Sequence, residues 1–157
     1  MIALVLLAGS VVASPSPALN RLVLSLQKGE AGKLAVRVEN ASPNAVALRA
    51  HAYLTLLNER DEDSQRPSYW ALLSVDTLPT PEKPMRLGPR KTLRVQLSTG
   101  GLLWATDRSA IGGQQPLGRV VLPGAYKLQL QVVDDAGMSW RSEELPATVS
   151  ASGGLTW

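Results

Sequence analysis

Leu122-Pro123-Gly124-Ala125-Tyr126 runs straight into Lys127-Leu128-Gln129-Leu130-Gln131-Val132, and this stretch constrains the chain more than any other. Pro-Gly makes a sharp turn. Beyond it, Tyr126, Leu128, Leu130 and Val132 fall on one side and Lys127, Gln129 and Gln131 on the other. A helix would scatter the two sets around its axis; a strand, with its period of two, separates them. The segment predicts a half-buried strand entered through a tight corner.

The same alternation recurs upstream. Leu22, Leu24 and Leu26 share a face, as do Leu34, Val36 and Val38, and Leu93, Val95 and Leu97. Residues 46–56 form the longest expected strand, with Val46, Leu48, Ala50, Ala52, Leu54 and Leu56 inward and Ala47, Arg49, His51, Tyr53 and Thr55 on the opposite, polar side. Residues 70–75 and 138–149 read as further strands. Between them lie turn formers: Gly29 and Gly32, the Asn/Ser/Pro run 40–44, and Asp134-Asp135-Ala136-Gly137, a hairpin turn. Residues 78–89 carry four prolines and read as an extended link crossing between sheets. Residues 99–119, broken by two Gly-Gly pairs, are the least regular. No segment shows a convincing helical stripe. The pattern predicts an all-β sandwich of seven or eight strands. Phe is absent and aromatics are 4% of 157 residues, so Leu, Val and Ala must build the core.

Residues 1–13 read as an export signal: an apolar run over 2–7, then the small residues Val11-Val12-Ala13 before the cleavage site. Ser14-Pro15-Ser16-Pro17 ends the run well short of the roughly 20 apolar residues a membrane span needs. Residues 14–20 follow as an extended leader, 21–149 as the sandwich, and 150–157 as a Gly/Ser-rich flexible tail. The expected location is periplasmic or extracellular.

Little in the chain points to chemistry. There is no Cys, which excludes thiol catalysis, disulfides and Cys-ligated zinc. The one histidine, His51, stands beside Arg49 and Tyr53 with no nucleophile motif near it. Glu59, Asp61, Glu62 and Asp63 match no calcium loop and are interspersed with Arg60 and Arg66, a solvated loop by its mixed charge. No enzyme activity, cofactor or metal site is expected. A net charge of +3, spread along the chain, makes no nucleic-acid footprint. Arg86, Arg90, Lys91 and Arg94 do cluster around one strand. They fit an anionic patch on a partner, lipid headgroups, or an edge strand guarded by cations. Trp104 and Trp157 are the tryptophans expected at the surface, where one could stack on sugars; Trp70 and Trp140 are expected in the core.

The Pro-Gly-Ala-Tyr entry resembles the penultimate strand of immunoglobulin-like sandwiches, which implies a buried Tyr126 ring with its hydroxyl turned back onto nearby backbone. The middle of the chain is similar to the N-terminal domain of periplasmic pilus-assembly chaperones, over roughly residues 20–133. The resemblance rests on Arg21-Leu22-Val23-Leu24, on residues 34–44 with their terminal Asn and Ser/Pro/Asn turn, on the long strand 46–56, and on Met85-Arg86-Leu87-Gly88-Pro89-Arg90-Lys91-Thr92-Leu93-Arg94-Val95. It implies an exported, non-catalytic module that binds a pilin-like or envelope subunit by strand-edge pairing. Arg21 would anchor an anion of the partner. Alternatives are a structural subunit of an envelope or extracellular appendage and, more distantly, a carbohydrate-binding module using Trp104.

Overall fold

The alternating segments all become strands, because each can bury one apolar row only against another sheet. A computed structural model describes residues 21–58, 60, 66–74, 77–109 and 113–157. The expected signal and leader, residues 1–20, and most of the acidic loop lie outside the described residues.

One sheet has three antiparallel strands: β1 (Leu22–Lys28) pairs with β2 (Leu34–Asn40), which pairs with a strand over Thr92–Leu97. Between them in sequence come β3 (Val46–Leu48), β4 (Ala50–Asn58), β5 (Tyr69–Leu72) and β6 (Met85–Leu87), which makes Thr92–Leu97 β7. After two short strands, β8 (Leu103–Trp104) and β9 (Gln115–Pro116), and a one-turn helix, α1 (Leu117–Val120), comes β10 (Gly124–Asp134). The chain ends in β11 (Ser139–Arg141), β12 (Leu145–Val149) and β13 (Leu155–Thr156). The second sheet runs β13-β12-β10-β4-β5, with β11 also on β10. Strands β1, β2 and β7 on one side and β4, β10 and β12 on the other follow the Greek-key order of immunoglobulin-like sandwiches. Among the described residues, seven strands have four or more residues. Among those residues, no helix is long and apolar enough to cross a membrane.

The expected inward rows form the core. Leu22, Leu24, Leu26, Leu34, Val36, Val38, Val95 and Leu97 meet Ala50, Ala52, Leu54, Leu56, Leu128, Leu130 and Val132 from the facing sheet. Each fully buried Leu or Val contributes about 1.5–3 kcal/mol relative to leaving it exposed. Tyr126 takes part with its ring, 4% exposed, and its hydroxyl donates to Leu122 O at 2.8 Å. The Tyr side chain thus closes the Pro-Gly corner it follows.

A buried amide ties the two sheet ends together. Asn40, fully buried at the end of β2, donates from Nδ2 to Asn44 O at 2.8 Å and to Leu87 O and Gly88 O at 3.0 Å. Its Oδ1 accepts from the backbone N–H of Ser42 at 3.0 Å and from the Ser42 hydroxyl at 2.6 Å. The Asn/Ser/Pro turn is therefore stitched to the β6–β7 turn by side-chain chemistry as well as backbone.

Three expectations need correction. Residues 46–56 are not one strand: at Arg49 the chain leaves β6, the partner of β3, and joins β10 and β5 as β4. The inward row continues unbroken through the switch, and period-two alternation cannot register a change of hydrogen-bonding partner. Second, the polar side of β4 is not exposed. Tyr53 and Thr55 are buried, as are Gln129 and Gln131 beside them on β10. Third, residues 150–157 are not a flexible tail. Ser150 N donates to Gly154 O at 2.8 Å, and Leu155 and Thr156 pair with Val149 and Thr148. The glycines serve a close approach: a Cβ on Gly153, whose φ is +80°, would meet the Gly118 Cα at 2.7 Å.

Two stability changes are expected. Tyr126→Phe, which keeps the ring and loses the hydroxyl, should destabilise by about 1–3 kcal/mol in a denaturant melt; no change would assign the corner to the ring alone. Gly153→Ala should cost about 1–3 kcal/mol by overpacking against the α1 backbone. A mobile tail would absorb that substitution with no loss.

Candidate functional site

Four arginines carry the sequence-based site, and all four are exposed. Arg21 precedes β1, where its carbonyl accepts the Ala41 N–H at 2.8 Å. At the same end of the sheet, the Asn40 N–H donates to Lys91 O at 3.0 Å, which places Arg90 and Lys91 on the other side of β2. Arg21 and Arg90 therefore flank the end of β2, about two strand spacings apart. Arg94 lies further along β7, directly opposite Arg37. Arg37 is neutralised by Glu39 at 2.6 Å. Arg86 sits on β6, opposite Ala47 of β3, outside the three-stranded sheet. Arg21 and Arg90 are thus brought to one end, while Arg86 and Arg94 point to separate surfaces.

Arg90 has an unusual backbone. It holds φ at +58° in the turn Gly88-Pro89-Arg90-Lys91, closed by Lys91 N–H to Gly88 O at 3.2 Å. Pro suits the second position of such a turn, and Gly or Asn the third. A long cationic side chain there gains nothing for the local fold.

Beside Arg21 runs the outer edge of β1. Arg21 and Ala41 form a hydrogen-bonded pair, so antiparallel alternation turns the amides of Val23, Ser25 and Gln27 toward β2. The amides and carbonyls of Leu22, Leu24 and Leu26 face outward, and no strand among the described residues pairs with them.

A second surface has no counterpart among the residues that the sequence points to. On the outer face of the larger sheet, a cleft of about 580 Å³ is lined by Arg66, Trp70, Asp107, Arg108, Gln131 and Arg141, among others. The Arg108 guanidinium lies over the Trp70 ring, 5.8 Å from its centroid. Trp70 in turn meets Tyr53 edge-on at 5.6 Å. Register sets Gln131 between Tyr53 of β4 and Arg141 of β11. Gln131 is 2% exposed and its Oε1 has no hydrogen-bond partner. A buried acceptor left so costs about 1–3 kcal/mol. Among the described residues, neither Arg66 nor Arg108 forms an ion pair. Asp107 is held below the usual carboxylate range, chiefly by the Ser109 backbone N–H at 3.0 Å, then by the Ser109 hydroxyl, with Arg66 and Arg108 adding to both. Burial raises the Tyr53 hydroxyl, and Arg108 opposes the rise. The three arginines come from three distant parts of the chain, so spacing in the sequence could not join them. The one local signal was Gln129 and Gln131, amides rather than charges on the polar side of the Tyr126 strand.

Trp140 packs partly buried against the core as expected, and the other three tryptophans depart from the expectation. Trp104 is buried, 1% exposed, which removes it as a sugar platform. Trp157 packs partly buried against the core, and it is Trp70 that borders open space. His51, half-buried on β4, has its ring 6.0 Å from that of Tyr53. Comparison with known proteins finds no family model that matches this chain and no curated protein similar to it.

The fold favours the ionised form of Asp107. That contribution is present above the unfolded-state pKa and is lost as pH falls through the lower, folded one. In an NMR titration Asp107 should therefore titrate below an aspartate in a short peptide. Ser109→Ala should move the midpoint only part of the way up, because the backbone N–H stays; a full return to the peptide value would contradict the backbone as its main cause.

Proposed function

We propose that the protein is an exported, non-catalytic binding module that takes an extended segment of a protein partner along the outer edge of β1. The partner is a pilin-like or envelope subunit rather than a nucleic acid, and the module works in the periplasm or outside the cell. The observation that carries this reading is the edge itself: Leu22, Leu24 and Leu26 turn their backbone groups outward with no pairing strand among the described residues. A free row of amides and carbonyls is a template for another chain, and backbone hydrogen bonds then supply affinity while alternate side chains set register. Val23, 44% exposed, gives the edge an apolar contact on its outward face. Arg21 stands at the strand's start, where a cation can hold a carboxylate of the incoming segment. Arg90, at the same sheet end, occupies a backbone position that favours glycine, which supports a role for its charge beyond the fold. The likeness of residues 20–133 to pilus-assembly chaperones supports the same mode of binding.

The test uses the mature chain against envelope subunits, with hydrogen exchange as the readout. Bound partner should slow exchange at the amides of Leu22, Leu24 and Leu26; unchanged rates there end the edge-pairing reading. Arg21→Ala should weaken binding by about 1.5–3 kcal/mol, roughly tenfold to a hundredfold, at an unchanged melting point. Arg90→Gly should weaken binding while leaving the melting point equal or higher, since glycine accepts the left-handed backbone. Arg94→Ala should change little. Normal binding by Arg21→Ala would overturn Arg21 as the anchor and move the working surface to the basic strands β6 and β7, at Arg86 or at Arg94.

A further inference from the structure

The cleft on the outer face of the larger sheet is separate from the β1 edge, and its chemistry is specific. It offers cationic donors from Arg66, Arg108 and Arg141. It also offers acceptors: the carboxylate of Asp107 and, once the Gln131 side chain turns outward, its Oε1, which is buried and unpartnered in the free protein. An anion that only accepts, such as sulfate, would answer the arginines and leave the acceptors unserved. A neutral ligand would do the reverse. A ligand suited to the whole cleft carries a carboxylate next to several hydroxyl donors. It also needs an apolar ring edge or face for Trp70, which borders the cleft while Arg108 covers one side of its ring. The remaining lining is Pro67, Thr106, Gly137 and Ser139, mostly small and polar.

We propose that this cleft binds an acidic sugar, a uronic acid residue, with its carboxylate held by Arg66, Arg108 and Arg141 and its hydroxyls donating to Gln131 Oε1 and Asp107. Planar guanidinium forks match a carboxylate bidentately. The vicinal hydroxyls of the same ring supply donors for the acceptors of the same lining. The Gln131 acceptor, idle in the free protein, is used when the sugar is bound. The cleft volume of 580 Å³ fits one or two sugar rings.

Calorimetry with the full chain at low salt tests this, using trigalacturonate, its methyl ester, galacturonate, an acidic tripeptide and sulfate as probes. Trigalacturonate should bind, and the methyl ester should bind about tenfold more weakly or worse, having lost the charge-assisted contacts. Galacturonate matching the trimer would support a site for a free sugar; weaker binding by the monomer would support one for a polymer. Arg108→Gln, on the exposed rim, should weaken trigalacturonate about tenfold. Gln131→Leu should weaken it comparably while leaving the melting point equal or higher, a combination that a structural role for Gln131 would not produce. Should Gln131→Leu fail to fold, Arg108→Gln decides alone. No binding of trigalacturonate, equal binding of the ester, or parent-like binding by Arg108→Gln overturns the proposal. So does an acidic tripeptide that binds as tightly, or sulfate that competes fully, which would leave a general anion site.

Discussion

The pairing of β4 with β10 is the constraint on which the rest depends. It runs through nine residue pairs, from Tyr126 opposite Asn58 to Asp134 opposite Ala50. Its inner row holds Leu54, Leu56, Leu128 and Leu130 against the smaller sheet, all with no measurable exposure. Its outer row holds Tyr53, Thr55, Gln129 and Gln131, also buried. A ladder buried on both faces cannot slip by one residue without driving glutamines into the leucine core. That single register therefore sets the core on one side and the floor of the arginine cleft on the other.

Polar side chains do for the strand ends what leucines do for the middle. Asn40 binds the end of β2 to the β6–β7 turn, and with it fixes where Arg90 and Lys91 stand relative to Arg21. Ser142 does the same at the break between β11 and β12. Its hydroxyl accepts from Leu130 N–H at 2.9 Å and donates to Glu143 O at 2.8 Å, while its carbonyl accepts from Gln129 Nε2 at 2.9 Å. A chain without cysteines holds its strand ends by such buried hydrogen bonds, each small in net worth but costly to leave unmade.

The two candidate surfaces belong to different sheets and differ in kind. The β1 edge offers backbone groups, which read any extended chain and gain selectivity only from what flanks them, here Arg21 and Val23. The cleft offers side chains in fixed positions, which select by chemistry: charge from the arginines, acceptors from Gln131 and Asp107, a ring from Trp70. A module carrying both could hold a protein partner at one place and meet an acidic glycan at another, without either surface competing for the same residues.

What the sequence determined by itself is the local half of the protein. Alternation named the inward rows of β1, β2, β3–β4, β7 and β10, because side-chain period depends only on the backbone of the strand it belongs to. The Tyr126 corner, the Asp134–Gly137 hairpin and the Asn40–Asn44 turn were legible for the same reason: their bonds close within four residues. The candidate cations Arg21 and Arg90 could be named in advance, but not that one sheet end gathers them. Tertiary structure decided the rest. It broke the 46–56 row between two sheets, since alternation shows which way a side chain points and not which strand lies beside it. It buried Trp104 and turned the Gly/Ser tail into a packed hairpin, since glycine signals freedom or close approach with the same letter. It also assembled the cleft from residues 66–70, 106–108 and 131–141, whose meeting depends on strand order across the sheet, a property that no single segment of the chain contains.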